Sequence, residues 1–462
     1  MVNIAWLSRA LKPRAASRLP QTLHTLGTSV LLIPIGIASS VLIARTIGPA
    51  GKGAFDLVVA TSTLLLMALG FSIPAGVTYE VARGDADIRA LVRRLVLLAV
   101  AQALVCALIL SVLVGIGRAD YFLPSQAQRW WPFAVAAYLF LEMLNSHWRA
   151  ILVGRQEITR SNRVELIGRF SQFALLFALA GLLFFNGRKI TVAVLFALIF
   201  FISLLLNVLL LIELRPAFAS TGTRNPLQGA IKFALPCYLG NLTQFLNYRL
   251  DLFILGALAG YASVGRYTLA VSLAQLCWLL SSSAASVLLP KVAGGQEQDP
   301  VTTIANTNRV NRLVLWTSFV SALGLGVLAS QAIPLLYGEP FRQSFTALVW
   351  ILPGIVAFST VNILAAYIAG IGKPRLNLIV AIAALVVTVS LDLYLIPKMD
   401  IAGAALASTA SYSVSAVLTI ILYLKNTKSS LREVLIPTAD DFNLALQFAQ
   451  PILRRVGLQR AV

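Results

Sequence analysis

The chain has 462 residues, 58% of them apolar and only 12% charged, with a mean hydropathy of +0.83. A soluble chain carries about 25% charged residues, so this composition excludes a soluble enzyme and specifies an integral membrane protein. The formal net charge of +19 does not argue for a nucleic acid partner, because the cations sit in short loops between apolar runs rather than on one polar face.

In chain order, residues 1–22 form a basic N-terminus. Twelve apolar runs follow, at 23–44, 55–78, 95–116, 131–153, 164–185, 190–214, 234–258, 262–288, 310–333, 345–368, 376–395 and 401–424. Continuous runs of about 20 residues specify helices, whereas barrel strands alternate over about ten. The first run is too long for a signal-peptide core and has no A-x-A site, so it reads as an uncleaved span. Residues 215–233 form a linker, which leaves six-helix halves at 23–214 and 234–424. The tail, 425–462, contains DDFNLALQFAQPILRRVG, an expected interfacial amphipathic helix interrupted at Pro451.

Of the 37 Lys and Arg residues, 27 fall on the side of the N-terminus, nine fall on the other side, and Arg249 lies within a span. The positive-inside rule then places both termini in the cytoplasm. Segment GPAGKGAFDLVV at 48–59 overlays GYASVGRYTLAV at 260–271, each lying between the first two spans of its half. The expected fold is therefore all-α, twelve helices in two six-helix halves related by a pseudo-two-fold axis along the membrane normal.

The candidate site residues are the polar groups within these runs. In the seventh span Asn241, Gln244, Tyr248 and Asp251 share an arc of about 80°, and in the eighth Thr268, Ser272, Gln275, Ser282 and Ser286 do the same. A polar stripe along a spanning helix faces protein or water, because lipid offers no hydrogen bonds. The stripes are either helix–helix contacts or the wall of a wet cleft. Asp251 lies nine residues before Gly260, about 14 Å along the axis and near mid-membrane. Arg249 points away from it on an ideal helix, so each charge needs another partner. In the fourth span Glu142 and Arg149 share a face. His147, Glu80 and Asp392 are the other ionisable groups in apolar surroundings.

Cys106, Cys237 and Cys277 have no metal or redox spacing. No GxxxxGK[ST] or HExxH is present, so no enzyme, catalytic residue, metal site or bound cofactor is expected. A coupling cation, proton or sodium, is the one small ion anticipated, with Asp251 and Glu142 as its carriers.

The order of RLDLFILGAL, VGRYTLAVSLAQ, LLPKV, LLYGEPF, YIAGIGKPRLNLIVAIAALV and IAGAALASTASY in the second half resembles bacterial polysaccharide flippases. These belong to the multidrug/oligosaccharidyl-lipid/polysaccharide exporter superfamily. IGPAGKGAFDLVVATSTLLL and ILVGRQEITRSN in the first half are similar to the same pattern. The resemblance implies a V-shaped bundle around a cationic central cavity in the bacterial cytoplasmic (inner) membrane. It also implies a polyprenyl-diphosphate-linked oligosaccharide as substrate, for O-antigen, capsule or exopolysaccharide, with membrane lipid and other polysaccharide-assembly proteins as partners. By resemblance, Arg249 and Asp251 of RLD and Lys373 and Arg375 of GKPR join the site. The alternatives are a cation-coupled drug antiporter of the same superfamily, a membrane glycosyltransferase or ligase, and a scaffold for the assembly machinery.

Overall fold

Single glycines turn the chain where the sequence repeat begins. In the computed structural model the first helix, α1 (Ala15–Gly70), bends at Gly48 with φ +66° and ψ −176°. The seventh, α7 (Leu227–Ala274), bends at Gly260 with φ +81° and ψ +177°. This region of backbone space is essentially reserved for glycine, so a span can reverse without a loop. The expected connections near 45–54 and 259–261 are thus one-residue corners. The structure describes residues 15–84, 86–119, 122–123, 129–187, 190–219, 227–295, 299–438 and 441. Most of the basic N-terminus and the amphipathic segment past Asp441 lie outside the described residues.

The remaining helices are α2 (Ile73–Ala82), α3 (Ile88–Gly115), α4 (Trp131–Gly154), α5 (Ile158–Phe185), α6 (Val192–Leu214), α8 (Trp278–Gly295), α9 (Pro300–Tyr337), α10 (Ser344–Gly370), α11 (Pro374–Met399), α12 (Ile401–Thr427) and a short α13 (Leu431–Leu435). Their starts follow local chemistry. Asp87 and Thr191 cap α3 and α6 by accepting from the backbone N–H of Ala90 and Val194. Asp299 caps α9 and Pro300 opens it. Nine helices among the described residues are long and apolar enough to cross a membrane, which makes this a multi-pass membrane protein.

Two expected spans are interrupted. The run 55–78 breaks at Phe71 and Ser72, both at positive φ, before α2 begins. The run 262–288 is divided by a 3₁₀ turn at Gln275–Cys277.

By internal packing the chain forms two units. One comprises Met1–Ile47, Thr61–Ala119 and Ser125–Leu239, and the other Gly48–Ala60, Asp120–Pro124 and Gly240–Val462. The division departs from the expected halves, because 48–60 joins the second unit and 227–239 the first. Contacts between the two copies of the repeat explain the first departure. A Cβ on Gly53 would lie 1.7 Å from the Tyr261 carbonyl oxygen, and one on Gly265 would lie 2.1 Å from that of Pro49. Pro49 and Tyr261 occupy the same repeat position, as do Gly53 and Gly265, so the segments cross reciprocally, backbone on backbone. One turn further on, Thr268 donates to Asp56, again its equivalent in the repeat, and Lys52 pairs with Asp56 and donates to Thr268 at 3.1 Å.

Within the first unit α4 packs against α2, α3 and α6, and α5 against α6. Trp131 and Tyr138 of α4 set their rings edge-on to Phe196 of α6. Asn207 of α6 donates to the Leu141 carbonyl at 2.9 Å. Within the second unit α10 is the central helix, packed on α8, α9 and α12, with α12 also against α11. Leu288, Val292, Val314, Ile363, Leu364, Tyr367, Tyr423 and Val434 form a buried cluster at one end. Val434 brings the segment after α12 into that core. Arg312 clasps Asp441 with two hydrogen bonds, at 2.6 and 3.1 Å, and also donates to the Glu433 carbonyl. Asn311 and Trp316 donate to the carbonyls of Val434 and Leu435.

Candidate functional site

The corner at Gly260 brings together residues far apart on a straight helix. Asp251 precedes it and Tyr267 follows it, and Tyr267 Oη donates to Asp251 Oδ2 at 2.5 Å. Asp251 also accepts from its neighbour's N–H, Leu252, at 2.8 Å, and from Ser408 Oγ of α12 at 3.4 Å. Only 4% of Asp251 is exposed. The aspartate is thus held by hydroxyl and amide donors inside the second unit, with no basic residue in hydrogen-bond contact among the described residues. Asp392 of α11 is 0% exposed and near enough for its charge to act on Asp251. Neither carboxylate oxygen of Asp392 has a hydrogen-bond partner among the described residues.

Arg249 is half-buried and makes no hydrogen bond or ion pair among the described residues. Its charge reaches Asp251 and Tyr412 through space. The helical geometry already excluded direct pairing with Asp251, and the structure agrees.

Gln244 lines a cavity of about 240 Å³ enclosed by α7, α10, α11 and α12. Asn247 and Tyr248 line it from the same helix, and Asn362, Asn377, Ser411, Tyr412, Ser415 and Thr419 from the others. Tyr248, Phe358 and Tyr412 of the lining form an aromatic cluster with Trp278, with ring centroids 5.0–6.5 Å apart. Asn241 is exposed on α7, and Gln275 is half-buried in the 3₁₀ turn. That turn interrupts the arc expected to join Thr268 to Ser286. Past it, Ser282 and Ser286 donate to carbonyls of their own helix, which satisfies a hydroxyl without a second helix.

Glu142 and Arg149 do belong to one polar band, but in the first unit and with separate partners. Glu142 accepts from Ser203 Oγ of α6 at 2.7 Å. Arg149 pairs with Glu165 of α5 at 2.9 Å and donates to Asn145 at 3.2 Å. Lys373 and Arg375 are exposed at the turn between α10 and α11, where Lys373 Nζ donates to Asn426 Oδ1 at 2.6 Å. Of the candidates, Glu142 and Arg149 lie in the first unit and all the others in the second, where Gln244 is the one that lines the cavity. Tyr267, Ser408 and the three cavity asparagines were not identifiable from sequence. Asp392 was, as an acid inside an apolar run, though not as a neighbour of Asp251.

Comparison with known proteins agrees with this architecture. Residues 22–295 match the family described as polysaccharide biosynthesis protein, more than half of the chain, and the protein belongs to that family. A probable multidrug resistance protein NorM of Thermotoga maritima is 27% identical over 226 residues, 45% of this chain and 46% of that protein. A probable low-salt glycan biosynthesis flippase, Agl15 of Haloferax volcanii, is 25% identical over 174 residues, 37% of this chain and 36% of its own length. The similarity thus spans less than half the length of these curated relatives. Among solved structures, a lipid II flippase MurJ in an inward closed conformation gives a TM-score of 0.70 at 13% identity, covering 89% of both chains. A multidrug resistance transporter of the MATE family, inward-facing, gives 0.63 at 14% identity, covering 85% of this chain and 94% of its own. Both likenesses establish the fold.

Proposed function

We propose that this member of the polysaccharide biosynthesis family turns polyprenyl-diphosphate-linked oligosaccharides from the cytoplasmic to the external leaflet of the bacterial cytoplasmic membrane. The observation that carries the reading is the family match over residues 22–295 on a chain with this transporter fold. The physical problem is plain: a diphosphate and its sugars cannot enter hydrocarbon unaided. A wet path through the protein replaces their hydration while the lipid tail stays in the bilayer. Twelve crossings follow when α1 and α7 each count twice across their glycine corners and α4 is included. In this reading the two halves are related by a two-fold axis along the membrane normal, and both termini lie in the cytoplasm. The substrate serves O-antigen, capsule or exopolysaccharide assembly.

Arg249 is the cation we assign to the diphosphate, since its planar fork makes two hydrogen bonds at once. Asp251 and Asp392 are assigned to a coupling cation, proton or sodium. A carboxylate as buried and partnerless as Asp392 calls for such compensation. The likeness to NorM favours the competing reading of a drug antiporter.

Proteoliposomes containing the purified protein and a fluorescent prenyl-diphosphate oligosaccharide decide between them. The flippase exposes the sugar to an external lectin at a rate set by protein content. Export of a cationic dye with no movement of the oligosaccharide establishes the antiporter instead, and transfer of sugar to an acceptor establishes an enzyme.

A further inference from the structure

The short helix after α12 is held at a defined depth. The sequence has no charged residue between Arg312 and Glu339, a run of about 39 Å along a helix and long enough to cross the hydrocarbon core. Arg312 and Trp316 stand at its start. From there α9 exposes Trp316, Phe319, Val320, Leu323 and Val327, an apolar lipid-facing stripe with the indole at its edge. A tryptophan so placed marks the boundary between hydrocarbon and headgroups.

The carbonyls of α13 fix it at that boundary. A helix leaves its last C=O groups without intrahelical partners, and here α9 supplies the donors. Arg312 donates to the Glu433 carbonyl, Asn311 Nδ2 to that of Val434 at 3.0 Å, and Trp316 Nε1 to that of Leu435 at 3.2 Å. Val434 fills the buried cluster beneath. Leu431 and Ile436 turn the other way and are 54% and 53% exposed. Large apolar side chains held in water forgo the energy of burial, which acyl chains at this depth restore.

The charge beside them has one sign. Lys425, Lys428 and Arg432 are exposed and make no ion pair among the described residues. The only acid between Lys425 and Thr438 is Glu433, whose carboxylate turns back to the Ser430 N–H in a capping box. Asp441 is engaged by Arg312 and, at 3.5 Å, by Arg309. Cations without counter-ions, next to exposed apolar side chains at headgroup depth, match an anionic lipid. The surface opens on the lipid-facing flank of α9, not on the cavity enclosed by α7, α10, α11 and α12.

We propose that residues 428–436 form a docking site for the headgroup of an anionic phospholipid, with Lys428 and Arg432 taking its phosphate and Leu431 and Ile436 its acyl chains. Arginine suits the phosphate through its planar fork. The bound lipid braces the segment that Arg312 clasps. The inference concerns the surrounding bilayer, so it stands whichever molecule the protein transports.

Hydrogen exchange of full-length protein in nanodiscs tests it, since both faces of a disc carry the same lipids and orientation has no influence. Amide protection across 431–436 is expected to be about tenfold higher in phosphatidylcholine–phosphatidylglycerol discs than in phosphatidylcholine alone, equivalent to about 1.4 kcal/mol. The difference should vanish in Lys428→Gln/Arg432→Gln and shrink in high salt, which screens exposed charges. Arg432→Gln alone, expected to lose most of it, replaces the double variant if that fails to elute as folded protein. Lys398→Gln removes an exposed cation beside the start of α12 and should keep the difference. Equal protection of the wild type in the two lipids overturns the site. So does a difference that survives the double variant or that Lys398→Gln also abolishes, because the lipid then acts elsewhere or through net charge. If farnesyl diphosphate in phosphatidylcholine discs raises protection and phosphatidylglycerol does not, the occupant is a prenyl diphosphate and the phospholipid assignment falls.

Discussion

Tyr267 donates its hydroxyl proton to Asp251 at 2.5 Å across the corner of a single helix. The bond joins the two limbs of α7 and, through Ser408, ties them to α12. Removing the hydroxyl leaves a fully buried carboxylate with fewer donors. Tyr267→Phe is therefore expected to cost about 1–3 kcal/mol and to lower the thermal midpoint of the purified protein. Ser272→Ala, one turn on and exposed, is the control. Equal midpoints for Tyr267→Phe and wild type would show that the bond does not hold the corner.

The reciprocal glycines give a sharper expectation. At Gly53 and Gly265 the atoms in the way are backbone carbonyls, which cannot rotate aside as a side chain can. Gly53→Ala and Gly265→Ala should each separate the two repeat segments and cost more than the ~1–3 kcal/mol typical of overpacking. Little folded protein should then reach the membrane. Gly181→Ala and Gly324→Ala, where a Cβ meets nothing within 4 Å, should accumulate normally. Comparable membrane abundance across all four variants would refute the close crossing.

That crossing was partly legible beforehand, and its limits are instructive. The overlay of GPAGKG on GYASVG located the glycines correctly, because a corner at positive φ and a backbone contact both demand the residue without a side chain. It could not show that the two segments touch each other, since a repeat fixes equivalence and not proximity. Hydropathy located the long apolar helices, because bilayer thickness sets their length. The interior of each span was read less well. The arc drawn from Thr268 to Ser286 assumed an ideal helix, and the 3₁₀ turn at Gln275 breaks it. The sequence asks for a partner to Asp251 on another helix, a ligand or water. The aspartate found hydroxyls on its own helix and on α12, a solution that a straight-helix projection cannot display.

The segment after α12 forms a clasp with a defined pH response. Burial pushes the Asp441 carboxyl up, but hydrogen bonds from Arg312 and Thr438 and the Arg312 charge outweigh it and hold it below the usual carboxylate value. A depressed value means that the clasp's stability is present above the unfolded pKa, about 3.9, and is lost as pH falls through the lower folded value. Exchange protection of 431–438, corrected for intrinsic rates, should therefore be the same at pH 7 and pH 5. Arg312→Ala removes two donors from Asp441 and one from the Glu433 carbonyl, leaving Arg309 at 3.5 Å and the Thr438 donors on the acid, and should lower that protection at both pH values. Loss of protection already at pH 5 in wild type would contradict the assignment.

Orientation is tested at the two ends of α12. Lys398, in the last turn of α11, and Lys425, in the last turn of α12, are exposed near the two ends of Ile401–Thr427. The orientation expected from the charge asymmetry has Lys398 outside and Lys425 in the cytoplasm. Lys398→Cys should react with an impermeant maleimide on intact cells, and Lys425→Cys only after permeabilisation. The reverse pattern would invert the topology, and equal labelling would deny that α12 crosses.

Arg249 is the residue on which the transport reading bears most directly. An arginine inside a span either neutralises a buried acid or binds something, and the two roles fail differently on substitution. The acid its charge reaches already has hydrogen-bond donors: Asp251 accepts from Tyr267, Leu252 and Ser408, and no ion pair reaches Arg249 among the described residues. Removing its charge therefore strands no hydrogen-bonded carboxylate. The cost of holding a cation within a span, about 2.5–3.5 kcal/mol at the bilayer centre, is even relieved. Arg249→Ala should thus reach the membrane at wild-type abundance, while oligosaccharide flipping in proteoliposomes falls at least tenfold. Arg249→Lys keeps the charge, loses the bidentate fork, and should retain part of the activity. Reduced abundance of Arg249→Ala, with flipping per molecule unchanged, would make the arginine structural and remove it from the diphosphate site.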